Sequence, residues 1–557
     1  MTHASRHKPY YRLRVLLPSI VLLLAALAAV TWADNAVNRG VTYVPAPPPI
    51  AWADQRLGVN AYNIQFEPNK ADVTRTLEMA RDMGAHFVRM QMPWDDVEIH
   101  GKGDFEDRRD PQHVHSAWEK YDFIYAEMSR LGLEPIVRLD RPPGWARAQA
   151  DVTPAFQAGL KEIGNSTGPP DNFADYADFV AAVAARYRDR VRFYQIWNEP
   201  NLAYEWNWVL PQPERFVELL RLGAQAIKAA NPNAVILFPS LSPTDGLEPR
   251  IAPLTELEYL DRVYKAGGGR YFDIMSAQAY GLGQPPDEHR YVFLRGRNND
   301  WVWTRPIDTR NDVSRVVLLR EVMELHGDGG KAVWISEFGY VSESPTVPPE
   351  RRNTWGTPVT EDQKGDYMIG QIERARREWP WVGVMNVWFL RWGGYQEPNP
   401  LDPTPNFAIV DRDFKPRPAY EMIKSYMAQA PASGVGAHAW DHPAVERRGA
   451  AEWAIRFVGT SFALYNLKAP LSVAVDGGMS IEINPLIGGG TLTIATGLPD
   501  REHTAIVQGN SAPEGFLVGR EPLLPWFWAL APALIVIGLA LIGALSLRAL
   551  FERFQHG

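Results

Sequence analysis

The sequence predicts an α/β fold: a (β/α)8 barrel followed by a small all-β sandwich, flanked by N- and C-terminal transmembrane helices. Three observations lead there. Eight apolar, β-branched runs alternate with segments of helical spacing over about 370 residues. After Gly434 the pattern changes to short β-rich runs punctuated by Gly and Pro. A charge-free apolar stretch lies near each end. With 557 residues, 46% of them apolar, the chain exceeds one ordinary domain and supports a large core.

Taken in order, residues 1–34 read as a basic tail and a span. Val15 to Ala33 carries no charge, follows Arg6, Lys8, Arg12 and Arg14, and precedes Asp34. The same pattern suits a signal peptide with a cleavage site near Ala28 or Ala33. Residues 35–50 form a Pro-rich linker, in which Pro45-Ala46-Pro47-Pro48-Pro49 is extended and semi-rigid. The barrel occupies residues 51–430. Its strands are predicted at Leu57 to Tyr62, His86 to Met92, Glu134 to Leu139, Val191 to Trp197, Val235 to Pro239, Phe272 to Tyr280, Ala332 to Glu337 and Val382 to Leu390. Helical spacing runs over Asp72 to Met83, Trp118 to Leu131, Phe173 to Tyr187, Glu214 to Ala230, Val313 to Leu325 and Glu361 to Glu378. A doubly wound sheet is the rival architecture, but it gives no reason to stop at eight strands.

A helix over Pro418 to Met427 closes the barrel, and residues 431–515 form the β module. Its strands are expected at Glu452 to Phe457, Phe462 to Asn466, Leu471 to Val475 and Thr491 to Ala495. Residues 522–547, from Pro522 to Leu547, are charge-free, with Trp526 and Trp528 where an aromatic belt sits. Arg548 and Arg553 follow in the tail, 548–557. Both flanks give one topology, with the termini in the cytoplasm and the region between Asp34 and Glu521 on the extracytoplasmic side of the cell membrane.

Composition removes several functions. A formal charge of -8 without a long basic run argues against a nucleic-acid partner. The absence of cysteine removes disulfides, thiolate metal sites and a cysteine nucleophile. His113-Val114-His115 has metal-like spacing but no third ligand nearby, and reads as an exposed loop. Asn165-Ser166-Thr167 matches a glycosylation sequon, a triplet that chance often produces.

Chemistry in a (β/α)8 barrel sits at the carboxyl ends of the strands. Glu199, in Trp197-Asn198-Glu199-Pro200, ends strand four. Glu337, in Trp334-Ile335-Ser336-Glu337-Phe338-Gly339, ends strand seven. These two motifs and addresses resemble the clan A retaining glycoside hydrolases across nearly the whole barrel, most closely the cellulase-like and family 39-like branches. The resemblance implies that Glu199 is the general acid and base and Glu337 the nucleophile, cleaving a β-linked oligo- or polysaccharide by double displacement. The carboxyl groups would then stand about 5 to 5.5 Å apart. Like-charge repulsion from Glu337 is expected to raise the pKa of Glu199.

The resemblance extends to supporting residues. Arg89, in Phe87-Val88-Arg89-Met90-Gln91-Met92-Pro93-Trp94, matches an arginine that holds the nucleophile ionised, and a charge amid an apolar strand needs a partner. Asn198 would contact the sugar 2-hydroxyl. Tyr280, in Ser276-Ala277-Gln278-Ala279-Tyr280-Gly281, matches a tyrosine bonded to the nucleophile; many members have histidine where this chain has Gln278. Trp388, in Asn386-Val387-Trp388-Phe389-Leu390, would floor the sugar site. Trp94, Trp145, Trp206 and Trp392 fall at strand ends or in βα loops and are further candidate platforms. Asp140 and Arg141 either line an outer subsite or form a loop salt bridge. The runs Phe457 to Thr460, Val473 to Gly477 and Gly497 to Thr504 resemble jelly-roll modules attached to carbohydrate-active enzymes, and the expected role here is to brace the barrel.

The resemblance implies no metal and no cofactor. The expected partners are a carbohydrate substrate and the membrane. Two alternatives share these residues: a transglycosylase that remodels surface glycans by passing the same intermediate to an acceptor, and a non-catalytic carbohydrate-binding envelope protein.

Overall fold

The computed structural model describes residues 17, 20–29, 50–163, 167–287, 312–429, 431–521 and 526–554. Most of the Pro-rich linker, the N-terminal tail, the last residues of the C-terminal tail and the start of the sequon at Asn165 lie outside them.

Eight parallel strands form the barrel: β1 Leu57–Asn60, β2 Phe87–Pro93, β3 Glu134–Asp140, β4 Phe193–Ile196, β5 Val235–Leu237, β6 Met275–Gln278, β7 Val333–Phe338 and β8 Val382–Val387. They pair in the order β5-β4-β3-β2-β1-β8-β7-β6. The sheet closes where Leu237 bridges Ile274 in parallel and Phe238 N–H donates to Ile274 O at 2.9 Å. Closure leaves no exposed edge on which another chain could pair.

Helices α1 Lys70–Asp82, α2 Glu119–Leu131, α3 Phe173–Arg186, α4 Pro213–Ala230, α5 Glu256–Lys265, α6 Val316–Leu325, α7 Glu361–Glu378 and α8 Pro418–Met427 follow the strands in turn. Local sequence starts them. Thr255 with Glu258 and Thr360 with Gln363 form capping boxes at α5 and α7, while Pro213 and Pro418 occupy first turns where no N–H is needed. In α4, Phe216, Leu219, Leu220, Gly223 and Ile227 recur at helical spacing and are the buried face.

The amino-terminal end of the barrel is plugged. Ile136, Phe193, Val235, Ile274, Trp334 and Val384 cluster there with Ile50 and Ala53 packed against them. Trp334 Nε1 donates to Trp52 O at 2.8 Å, so the chain enters the barrel across its floor.

Nine further strands make a two-sheet sandwich: β9 Gly436–Ala439, β10 Val445–Arg447, β11 Glu452–Gly459, β12 Ser461–Tyr465, β13 Leu471–Val475, β14 Ile481–Ile483, β15 Thr491–Ala495, β16 Arg501–Gln508 and β17 Gly515–Gly519. The sheets run β9-β17-β12-β15 and β10-β11-β16-β13-β14. Inward residues such as Ile455, Phe457, Phe462, Leu464, Val507 and Phe516 alternate along the strands and fill the core. The sandwich sits under the barrel floor. Between them lies a cavity of about 520 Å³, lined by Arg56, His86 and Val382 from the barrel and by His438, Arg456 and Glu502 from the sandwich.

The C-terminal helix, α9, spans Trp526–Phe554. Among the described residues no helix is long and apolar enough to cross a membrane. The two flanking transmembrane helices expected from the sequence are therefore not borne out as part of the observed fold.

Candidate active site

The motif around Glu199 turns sharply as it leaves β4. Trp197 and Glu199 have φ of 70° and 39°, left-handed values that cost a non-glycine residue roughly 1–3 kcal/mol and persist only where surroundings hold them. Here Trp197 N–H donates to Leu139 O at 3.0 Å and Glu199 N–H to Ser240 O at 3.1 Å, tying the turn to β3 and to the chain after β5.

Glu337 is aimed by a different device. In β7, Trp334 packs into the floor cluster, whereas Ile335 and Phe338 pack outward against the helices. Strict alternation would turn Glu337 outward with Ile335. The register with β6 instead slips at this point: Ala277 pairs with Ile335, but Gln278 pairs with Glu337. This bulge brings Glu337 inward. Side chains pin it, since Asn60 Nδ2 donates to Ser336 O at 2.9 Å, Ser336 Oγ donates to Ala277 O at 3.0 Å, and Ser240 and Ser336 share a hydroxyl contact. Gly339 completes the motif because the end of β8 crosses it; a Cβ there would lie 2.5 Å from Trp388 O.

Two donors converge on Glu337. Arg89 Nη1 reaches its Oε1 at 3.1 Å, and Tyr280 Oη donates to its Oε2 at 2.8 Å. Arg89 is only 3% exposed, and its remaining bonds, Nε to Gln195 Oε1 at 2.9 Å and Nη1 to Asn60 Oδ1 at 2.7 Å, fix the guanidinium. Burial first, and the charge of Glu337 second, push the Tyr280 hydroxyl well above its ordinary value, so it stays a neutral donor. Removing one partner of a buried ion pair leaves an uncompensated charge. Arg89→Met is therefore expected to lower unfolding free energy by about 3 kcal/mol, read from denaturant midpoints; a loss under about 0.5 kcal/mol, the size of a surface change, would contradict the pairing.

Glu199 meets amide donors instead. Gln278 Nε2 donates to its Oε1 at 2.7 Å, and Asn198 Nδ2 lies 3.4 Å from its Oε2. Its pKa is pushed up to about 7, by burial first and by the charge of Glu337 second. The sequence-based expectation named repulsion as the cause; desolvation is the larger one. The bond to Gln278 acts in the opposite direction. Gln278 links the pair, being bonded to Glu199 through its side chain and paired with Glu337 through the strand register.

The aromatic candidates separate. Trp388 is half-buried, its N–H donating to Phe338 O at 2.8 Å, and its ring stands edge-on to Tyr62 at 5.5 Å. Trp392 lies 4.9 Å from the same tyrosine, so both belong to one aromatic wall. Trp94 and Trp206 do not belong to it. Trp94 is fully buried, stacked 5.1 Å from Phe179 and bonded to Glu98, while Trp206 is buried edge-on to Trp197. Trp145 packs edge-on against Trp94 and donates to Glu98 O, an outer support. Asp140 is buried and held by Arg138 Nε at 2.8 Å and Gln91 Nε2 at 2.6 Å, whereas Arg141 pairs with Asp95.

Sequence reasoning missed Asn60, Gln195, Arg138 and Glu205. The first two carried a signal, as amides inside otherwise apolar strands with buried neighbours. Glu205 carried none: it ends a short turn, Ala203–Glu205, in the loop after β4. Away from the cleft, His113 bonds Asp110 on an exposed loop, while His115, expected on the same loop, lies in a short exposed strand, His115–Ser116, paired with Glu106–Asp107. Among the described residues no group of three or more His, Asp or Glu is placed to hold a metal ion.

No family model and no curated protein matches the chain by sequence. Solved structures do align with it. A family 39 glycoside hydrolase from Bacteroides cellulosilyticus WH2 is 16% identical, with 84% of each chain covered and a TM-score of 0.44. A monomeric β-xylosidase from Caulobacter crescentus CB15 is 15% identical, covering 84% of this chain and 99% of its own, at 0.46. The GH39 enzyme from Xanthomonas axonopodis pv. citri is 13% identical, covering 83% and 95%, at 0.45. Likeness this distant carries no chemistry to the present chain, whose functional reading rests on its own site.

Proposed function

We propose that the chain is a membrane-anchored, extracytoplasmic retaining glycoside hydrolase acting on a β-linked oligo- or polysaccharide. One observation carries the reading: a half-buried and a buried glutamate, Glu199 and Glu337, stand at the carboxyl ends of β4 and β7 in opposite environments, one inclined to hold a proton near neutrality and one facing a guanidinium and a phenol. Double displacement needs this division. Glu337 attacks the anomeric carbon while Glu199 protonates the leaving oxygen. Because Gln278 occupies Oε1, the transferable proton is assigned to Oε2 of Glu199. Esterification removes the charge on Glu337, the second cause of the raised pKa, so Glu199 then ionises more readily and activates water. On this reading Asn198 meets the sugar 2-hydroxyl and Trp388 packs under the ring.

The test is a panel of aryl and polymeric β-glycosides with the full chain in detergent, following the anomer first released by NMR. A β-anomer supports the reading. An α-anomer would make the enzyme inverting, and inactivity on every substrate would remove the assignment.

Anchorage is supported by the two apolar runs and by α9, where Val536, Ile537 and Leu539 face solvent, an unusual arrangement for a helix outside lipid. Helix 20–29 touches α9: a Cβ on Gly538 would lie 2.1 Å from Leu23 Cδ2. Both ends of the intervening body also point one way. Ile50 packs at the barrel floor, and Arg520, at the end of β17, pairs with Asp500 of the sandwich beneath it. The catalytic mouth opens on the other side. Protease added to intact spheroplasts should remove the barrel; full protection would contradict the extracytoplasmic placement.

A further inference from the structure

Glu205 is a carboxyl in the cleft that has no cation of its own among the described residues. Its Oε1 lies 3.4 Å from Asn198 Nδ2, and the same nitrogen lies 3.4 Å from Glu199 Oε2, so one amide group stands between the two glutamates. Arg138, whose charge acts on Glu205, is already engaged: Nε stands 2.8 Å from Asp140 Oδ2 and Nη1 3.4 Å from Asn198 Oδ1. Among the described residues no ion pair is made by Glu205.

Charge at the cleft floor is therefore unbalanced. Among the described residues the acidic groups there are Asp140, Glu199, Glu205 and Glu337, and the basic ones Arg89 and Arg138. When Glu199 carries its catalytic proton, three carboxylates face two guanidinium groups. Burial, then the charges of Glu199 and Asp140, push the Glu205 carboxyl well above its ordinary range, so the empty cleft favours neutralising it with a proton. A ligand that brings one positive charge to this corner would do the same while forming a charge-assisted hydrogen bond.

We propose that Glu205 is a specificity-determining residue, which selects a sugar carrying a free amino group by pairing its carboxylate with the ammonium beside Asn198. The substrate class is then a β-linked glycan containing deacetylated hexosamine. An N-acetyl group and a neutral hexose carry no charge and leave Glu205 to hold its proton, so neither gains a charge-assisted bond from it. The inference rests on the glycoside hydrolase reading, and its test separates the two.

The full chain and its Glu205→Gln variant, a near-isosteric change, are compared on an aryl 2-amino-2-deoxy-β-glucoside and the corresponding aryl β-glucoside. The ratio of kcat/KM for the amino sugar over the neutral sugar should fall about 30-fold on substitution, the size of a lost charge-assisted bond, mainly through KM for the amino sugar. An unchanged ratio overturns the proposal. Binding is read separately by calorimetry of β-1,4-linked glucosamine oligomers to Glu337→Gln with and without Glu205→Gln. About tenfold weaker binding in the double variant supports the proposal, and equal binding overturns it. Glu205-dependent binding without hydrolysis of any β-glycoside would sink the hydrolase reading alone; hydrolysis with no Glu205-dependent preference would sink this inference alone.

Discussion

Glu337→Ala is expected to lower kcat on β-glycosides by about 10⁴-fold or more, the scale on which removal of an enzymatic nucleophile registers. The loss follows from position. Glu337 is brought inward by the bulge at Ser336, and both its oxygens are committed to donors, Arg89 and Tyr280. No second carboxylate takes its place, since Glu199 is tied to Gln278 on the neighbouring strand. Truncation opens a space the size of the lost carboxyl group, into which azide fits. Attack from that face on an activated β-glycoside should yield an α-glycosyl azide, seen by NMR, because only one displacement then occurs. Unchanged hydrolysis would remove Glu337 from the site, and loss of activity without azide rescue would argue against a covalent intermediate. The same variant leaves Arg89 buried without its carboxylate, so its denaturant midpoint should drop as well. A circular dichroism spectrum matching the parent distinguishes a dead site from an unfolded chain.

How far such a site is legible in sequence depends on which physical signal marks each part. The eight barrel strands are buried on both faces, and continuous apolar runs separated by amphipathic helices identify them. Their ends place Glu199 and Glu337 correctly, and a charge inside an apolar strand makes Arg89 conspicuous. Direction is harder to read. Period-two alternation assigns Glu337 to the wrong face, and only the bulge, which depends on pairing with β6, corrects it. Trp94 follows β2 and looks like a platform, but the turn Trp94–Asp96 rotates its ring beneath Phe179 into the core. In the sandwich, apolar runs mark β11, β12, β13 and β15, whereas the short edge strands β9, β10 and β14 and the interior strands β16 and β17 escape the sequence reading. The origin of the high Glu199 pKa also escapes sequence reading, because burial is a property of loops closing over the residue rather than of the motif.

Glu199 governs the second large effect, and its sign can be worked out for rate and for stability alike. The acid must be protonated in the free enzyme, so kcat/KM should fall tenfold per pH unit above about pH 7. Glu199→Gln removes that limb. It should also cut kcat/KM by about 10³-fold or more for substrates with poor leaving groups, while substrates with good ones, which leave without a proton, lose far less. Equal losses for both would rule out the acid role. For stability, the folded-state pKa, about 7, lies above the ordinary 4.5. Between these values the folded chain binds more protons than the unfolded one, so the contribution of Glu199 to stability falls as pH rises through this window. Above it, an ionised Glu199 disfavours the fold by about 3 kcal/mol at most, since each tenfold change in proton affinity is worth about 1.4 kcal/mol. Glu199→Gln, which retains shape but never ionises, should therefore be more stable than the parent at pH 8 and lose that advantage at pH 4. A catalytic acid whose pKa the fold raises would show itself by this pair of opposite results: the substitution that damages turnover most selectively is the one that makes the folded chain harder to unfold above neutrality.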